Sequence, residues 1–450
     1  MDRHISPGRV GGSIRVPASK SHTIRALFIA LSADGTSRIG RPLESPDGRA
    51  ALSFARALGA EVHTEPQDDD RAWVVTPPDR PMPPENIVDV GNSGTTLYFA
   101  IATAARVEGF AVLTGDEQIR RRPAGPLLDA VTELGATAIS TRQNDCAPIV
   151  VGGGLEGGTV SIECPTSQYL SALLLAAPFA EQRTDIDVRL LNEKPYVDMT
   201  VDWLCSHGVA LERDGYARFS IEPGAAFSPV DRDIPGDWSS AAFFILAAVA
   251  AQSDLFLEGL DPGDSQGDKA IVDYLAQMGV PFEWDTERLL VRGSAVETPE
   301  PVDFDLNATP DALPAMALAA AFANGNSTLG NVPQARIKET DRIAVLRREL
   351  AKVGVEAEEL PDGLVVHGKG RPAAGRRVGG ASGAPGAGNH GGALTGGVVD
   401  SHGDHRIAMA FAAAALGAGE AITIHNADCA EITVPGFYGL LEEMRRGAST

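Results

Sequence analysis

Six times along the chain a small polar or helix-starting residue opens an alanine- and leucine-rich apolar run. The runs begin at Ser19, Ser93, Ser167, Ser239, Pro310 and Asp404, at intervals of 74, 74, 72, 71 and 94 residues. About 40 to 44 residues after each start a second helix-like stretch closes on glycine, at Gly59, Gly135, Gly208, Gly279, Gly354 and Gly447. Five of these six continue into a strand-like tail, as in Leu58-Gly59-Ala60-Glu61-Val62. Glycine just past a helix stops it, and the extended run beyond reads as a strand. A fixed period of this length marks internal repeats. The pattern predicts an α/β protein of six units, each of two helices and short strands, and argues against a single Rossmann-type sheet. The first run of each unit is apolar nearly all round, which predicts a buried helix.

The one long interval has a local cause. Between Gly368 and Gly397 lie twelve glycines in thirty residues without periodicity, which reads as a flexible surface insertion. Removing about twenty surplus residues there restores the common period. The 450 residues, 44% hydrophobic, 22% charged and 6% aromatic, are ordinary globular usage and allow two large domains or three smaller ones. The longest apolar runs, Ala241 to Ala251 and Ala312 to Ala323, stop short of the ~20 residues a membrane span needs. The N-terminus carries no apolar signal region, and Cys146, Cys164, Cys205 and Cys429 form no CxxC pair. A cytoplasmic protein with reduced thiols is expected. Sixty acidic against 38 basic residues give a formal charge of -22, so neither nucleic acid nor an anionic membrane is an expected partner.

The reactive residue types gather at the starts of the six apolar helices. They are Pro17-Ala18-Ser19-Lys20-Ser21 with Arg25 one turn on, Gly91-Asn92-Ser93-Gly94-Thr95-Thr96, Thr166-Ser167-Gln168, Gly236-Asp237-Trp238-Ser239-Ser240, Asn307-Ala308-Thr309-Pro310-Asp311, and Gly403-Asp404-His405-Arg406. Each alone reads as an N-cap. A helix start also presents unpaired N–H groups and a partial positive charge, so Lys20, Arg25 and Arg406 are unfavourable there unless an anion is close. Lys338 and Arg342, four apart in Lys338-Glu339-Thr340-Asp341-Arg342, would repel on one helix face. Arg120-Arg121-Arg122-Pro123 adds a further cationic loop. Together these motifs fit a polyanionic small molecule better than a set of unrelated caps. No Walker A, HExxH or EF-hand pattern is present. A metal site at Asp400, His402, Asp404 and His405 is disfavoured by the adjacent Arg406, so no metal is expected.

In order along the chain, PASKSHTIR, GNSGTT, RRRP, TSQYLSALLL, KPYVDMT, PGDWSSAAFF, ATPDALPAMA, ARIKETDR and GDHRIAM resemble the 5-enolpyruvylshikimate-3-phosphate synthases (3-phosphoshikimate 1-carboxyvinyltransferases) of the enolpyruvyl transferase family, from about residue 7 to residue 445. The resemblance implies a two-domain inside-out α/β barrel of six βαβαββ repeats, three per domain. It places residues 1–19 with 236–450 in one domain and 20–235 in the other, the active site in the cleft between them. It implies enolpyruvyl transfer from phosphoenolpyruvate to the 5-hydroxyl of shikimate 3-phosphate, by a monomer with no metal or organic cofactor. Position by position, Asp311 matches the base, Glu339 the proton-transfer carboxylate, and Lys20 the lysine at the reacting centre. Lys20, Ser21, Arg25, Thr166, Ser167, Gln168, Asp311 and Lys338 match the shikimate-phosphate contacts. Lys20, Gly94, Arg122, Gln168, Arg342, His405 and Arg406 match the phosphoenolpyruvate contacts. The sister enzyme acting on UDP-N-acetylglucosamine carries a cysteine in the loop that here reads Gly115-Asp116-Glu117-Gln118-Ile119-Arg120, which disfavours that assignment.

Three positions depart from the pattern. Tyr98 stands where many members have arginine, Glu193 where a serine usually touches the substrate phosphate, and Ile432 where some have lysine. A carboxylate beside a phosphate is costly unless it is protonated, displaced or paired with Lys194. Two readings beside the synthase therefore follow: a paralogue acting on an unphosphorylated shikimate-like acid, by water elimination or enolpyruvyl transfer, and a noncatalytic scaffold, which the presence of Asp311 and Glu339 opposes.

Overall fold

The computed structural model describes residues 1–67, 70–224, 226–371 and 393–448. It divides into two compact units: Met1–Val16, Trp238–Leu260 and Asp268–Thr450 form one, Pro17–Asp237 with Asp261–Gly267 the other. The short stretch Asp261–Gly267, which the sequence assigns to the first domain, groups with the second unit because Asp264 pairs with His22 at 2.9 Å and Gln266 binds Asp237 at 2.7 Å.

The second unit shows the repeat most plainly. Strand Val88–Asp89, helix Gly94–Ala104, strand Phe110–Thr114, helix Gly125–Glu133, and strands Thr137–Ser140 and Ile149–Gly152 follow in sequence. The first two strands pair in parallel, and the last two close the four-stranded sheet antiparallel. The repeat that follows, from Gly158–Cys164 to Arg218–Ile221, has the same order and ladder pattern. In the first repeat the leading strand is supplied from far away: Asp231–Asp233 pairs in parallel with Ser37–Gly40.

The first unit mirrors this arrangement. Strand Ser13–Arg15 leads the repeat that continues at helix Trp238–Ala250, pairing in parallel with Asp254–Glu258. The chain thus lays down two strands of the first unit, Arg3–Ile5 and Ser13–Arg15, builds the second, and returns. Among the described residues, no strand follows helix Phe437–Gly447 in the last repeat. Strand Arg3–Ile5 takes that place, antiparallel to Ile422–His425, which explains why only five of six repeats end in a strand-like run.

The helices that open each repeat are the core. All thirteen residues of Trp238–Ala250, all eleven of Gly94–Ala104 and all eleven of His405–Ala415 are buried. Within the first unit, Trp238–Ala250, Leu313–Ala321 and His405–Ala415 pack on one another, their alanines permitting close approach. Truncating a buried leucine here to alanine costs about 2–5 kcal/mol. The second helix of each repeat is amphipathic, as in Phe437–Gly447, which buries Phe437, Tyr438, Leu441 and Met444. Gly59, Gly135, Gly208, Gly279 and Gly354 have φ between 83° and 101°, the left-handed stop that glycine adopts without a steric penalty. Gly447 differs: it ends a helix without positive φ, and a Cβ there would lie 2.4 Å from the Gly11 carbonyl oxygen. Of the glycine-rich stretch, 372–392 lie outside the described residues, while Gly368 and Lys369 close strand Gly363–Lys369 and Gly397 opens strand Gly397–Asp400.

Candidate active site

In every repeat the first two strands run parallel, so their C-terminal ends lie side by side and the residues that follow them are brought together. In open α/β sheets this edge is where ligands bind. The pairing Asp305↔Gly330 places the segment after each strand at one edge, and these segments carry Asp311 on one side and Lys338, Glu339 and Arg342 on the other. Lys338 is not helical, because Asp341 accepts from the Ala344 N–H at 3.1 Å and starts the helix only at Arg342. The expected helix face shared by Lys338 and Arg342 is therefore a turn followed by a cap.

Arg342 is the hub of the first unit's cluster. Its side chain is 1% exposed, and it donates to Asp311 at 2.7 Å, to Glu339 at 2.6 Å and to Asp404 at 2.8 Å. Arg406 binds the other Asp311 oxygen at 2.7 Å. Asp404 is fully buried, accepts from the Arg406 N–H and from Thr340, and caps helix His405–Ala415. Burial alone would raise the Asp311 carboxyl, but Arg406, Lys338 and Arg342 outweigh it and hold it well below the usual carboxylate range, against a smaller opposing push from Glu339. Burial pulls the Arg342 guanidinium down, yet Asp404, Glu339 and Asp311 raise it above its ordinary value. His405 is buried at the first position of its helix. His402 binds Glu349 at 3.0 Å while Asp404 serves Arg342. Among the described residues no group of three or more His, Cys, Asp or Glu side chains is placed to hold a metal ion.

The second unit carries the remaining residues at equivalent edges. Lys20 pairs at 3.2 Å with Asp47, a buried carboxylate in the first turn of helix Pro46–Ala57. Arg25 is buried and spends all three guanidinium nitrogens on Thr200, the Ser21 carbonyl and the Tyr196 carbonyl, at 2.9, 3.0 and 2.9 Å. Burial lowers its pKa to about 10. Gln168 donates to Thr95 at 3.0 Å, linking two helix starts. Arg122 lies against the first turn of helix Gly94–Ala104, where a Cβ on Gly94 would come within 2.3 Å of its Nη1.

Four features add to the sequence reading of the site. Asp47 is the partner that makes Lys20 tolerable at a helix start; Ser45-Pro46-Asp47 is itself a helix-start signature that could have revealed it. Asp404 holds Arg342 rather than acting as a cap alone. Tyr98 and Tyr169 both donate to the Pro123 carbonyl, at 3.0 and 2.6 Å, and so fix the loop just after Arg122. Glu193 lies buried among the residues expected to bind the acceptor phosphate: its Oε2 accepts from the Thr166 hydroxyl at 3.1 Å, the Ser167 N–H at 3.1 Å and the Ser167 hydroxyl at 2.8 Å. Lys194 points instead over the Tyr216 ring, 5.3 Å from its centre. Ile432 ends the short helical turn Ala427–Ile432.

Two units of three βαβαββ repeats, with charged side chains gathered where parallel strand ends meet helix starts, define an inside-out α/β barrel of the enolpyruvyl transferase type. A solved structure of EPSP synthase from Acinetobacter baumannii superposes with a TM-score of 0.79 over 98% of both chains at 25% identity. The family model described as EPSP synthase (3-phosphoshikimate 1-carboxyvinyltransferase) matches residues 5–441, and the chain belongs to this family. Proteins named 3-phosphoshikimate 1-carboxyvinyltransferase from Ruminiclostridium cellulolyticum and Acetivibrio thermocellus are each 42% identical to it, over 96% and 99% of both chains respectively. A protein of the same name from Natronomonas pharaonis is 39% identical over the full length of both. These relatives do not favour the reading in which Tyr98, Glu193 and Ile432 redirect the chain to an unphosphorylated acid.

Proposed function

We propose that the protein transfers the enolpyruvyl group of phosphoenolpyruvate to the 5-hydroxyl of shikimate 3-phosphate and releases phosphate. The acceptor oxygen bonds to C2 of phosphoenolpyruvate while the methylene carbon gains a proton, giving a tetrahedral intermediate. Loss of phosphate and of a methyl proton then yields the enol ether. The steps need a base for the hydroxyl, an acid for the methylene carbon, and cations around a carboxylate and two phosphoryl groups.

One observation carries this reading: Asp311 and Glu339 share the buried Arg342, with Arg406 on the far oxygen of Asp311. Asp311 is assigned as base, Glu339 as proton carrier and Lys20 as the cation at the reacting centre. Arg122, Arg342, His405 and Arg406, with Gly94 and Gln168, are assigned to phosphoenolpyruvate. Ser21, Arg25, Thr166, Ser167, Gln168 and Lys338 are assigned to the acceptor. The arrangement also supports a substrate-gated base. The cations that depress Asp311 are those assigned to phosphoenolpyruvate, so an anion that draws on Arg342 and Arg406 weakens their hold and raises the Asp311 pKa. Donor binding then makes Asp311 a stronger base. The residues assigned call for neither metal nor organic cofactor, and we propose that the chain works as a cytoplasmic monomer.

The test is to incubate the protein with phosphoenolpyruvate and shikimate 3-phosphate and to follow phosphate release and product mass. Release of one phosphate per product is expected. Failure to react with shikimate 3-phosphate, or equal turnover of unphosphorylated shikimate, would refute the proposal.

A further inference from the structure

We propose that Glu193 is an internal occupant of the acceptor's phosphate slot, and that its displacement is a step in acceptor binding that sets affinity for the acceptor without touching the chemistry. The inference rests on the assignment of Thr166 and Ser167 to the acceptor phosphate, and deepens it. Three donors converge on one carboxylate oxygen: the Thr166 hydroxyl, the Ser167 hydroxyl and the Ser167 N–H. The N–H is the first of helix Ser167–Ala176, whose own N-cap residue makes no side-chain cap bond. Glu193 thus does from another segment what a local cap does elsewhere, satisfying an orphan donor at the positive end of a buried helix.

The fold explains how it gets there. Strands Gly158–Cys164 and Thr184–Leu191 run parallel with Cys164 opposite Leu191, so the two connections that leave them are neighbours. Asn192 locks them together, its N–H donating to the Cys164 carbonyl and its side chain to the Pro165 carbonyl, both at 3.2 Å. Glu193 then adopts φ 57° and ψ 42°, a left-handed conformation that is unfavourable for a residue with a side chain of this kind. The carboxylate's hydrogen bonds in the slot offset that strain.

A phosphate bound by the same three donors cannot share the slot with a carboxylate, since two anions in one buried site repel and the donors are already used. Hydroxyl donors rotate to suit either anion, so an exchange leaves the slot itself intact. The residue therefore acts as a built-in competitor. It discriminates in favour of acceptors whose anion binds more strongly than a single carboxylate.

The test separates the slot from the reaction. Glu193→Ser is expected to lower KM for shikimate 3-phosphate at least tenfold while kcat and KM for phosphoenolpyruvate change less than twofold. Independently of turnover, inorganic phosphate is expected to raise the melting temperature of Glu193→Ser and of Glu193→Gln more than that of the original protein, relative to chloride at equal ionic strength. Glu193→Gln retains an oxygen acceptor and so guards against loss of folding. Equal phosphate response in all three proteins, or an unchanged or higher acceptor KM in Glu193→Ser, would overturn the inference. If the original protein turns over no shikimate 3-phosphate at all, the functional reading fails, and the phosphate response still decides the slot.

Discussion

Asp311 and Arg342 meet at 2.7 Å, with Arg406 at the same distance on the other carboxylate oxygen. The proposed base is thus tied up by the cations assigned to the donor. Asp311→Asn keeps the shape and removes the base. It is expected to lower kcat roughly 100- to 10,000-fold, the usual worth of a positioned general base, and to leave KM for phosphoenolpyruvate unchanged or lower because each arginine loses one carboxylate partner. A variant retaining full kcat would exclude Asp311 as base.

Asp404 is fully buried and accepts from Arg342 at 2.8 Å and from the Arg406 N–H at 2.9 Å. Asp404→Ala leaves Arg342 with two carboxylates where it had three and removes the cap of helix His405–Ala415, so it is expected to cost about 2–5 kcal/mol, a lost cap plus a lost charge-assisted hydrogen bond. Urea unfolding monitored with an unchanged m-value measures this. A loss under about 1 kcal/mol would place the pair among solvated surface bridges.

The repeat, the buried first helices and the glycine stops were legible because each is written in local periodicity. The helix starts were legible as a set, because cations at the positive end of a dipole demand an anion. Which anion was not legible: Asp47 for Lys20 and Asp311 for Arg406 are contacts between segments that sequence spacing does not bring together. Lys338 and Arg342 were misread as one helix face because the cap at Asp341 competes with helix propensity. Tyr98 and Glu193 were visible only as departures. Their roles depend on hydrogen bonds to Pro123 and to the Thr166–Ser167 turn, which are tertiary.

Gly94 matters for what it lacks. A Cβ there would stand 2.3 Å from Arg122 Nη1, so Gly94→Ala displaces the guanidinium from the first turn of helix Gly94–Ala104. The obstructed atom is the far end of a flexible side chain, so folding should be spared. KM for phosphoenolpyruvate is expected to rise about tenfold, corresponding to roughly 1.4 kcal/mol of lost binding, with the melting temperature nearly constant. An unchanged KM would show that Arg122 does not bind the donor from this position.

Tyr98 and Tyr169 converge on one acceptor, and their rings meet edge to face with centroids 5.0 Å apart. Either phenol alone can satisfy the Pro123 carbonyl, so Tyr98→Phe or Tyr169→Phe should cost little. The double variant leaves a carbonyl without a donor and is expected to lose about 1–3 kcal/mol more than the sum of the singles. Because Pro123 follows Arg122, the double variant should also raise KM for phosphoenolpyruvate. The same pair predicts an alkaline limit. Burial raises the Tyr98 pKa to about 12, with Arg122 acting in the opposite direction, above the ~10 of an unfolded tyrosine. Stability from the neutral phenol is therefore fully present below pH ~10 and is lost as pH rises through about 12. Melting temperature measured from pH 8 to 12 should fall less steeply above pH ~10 in the double variant than in the original protein, and identical slopes would show that neither phenol contributes.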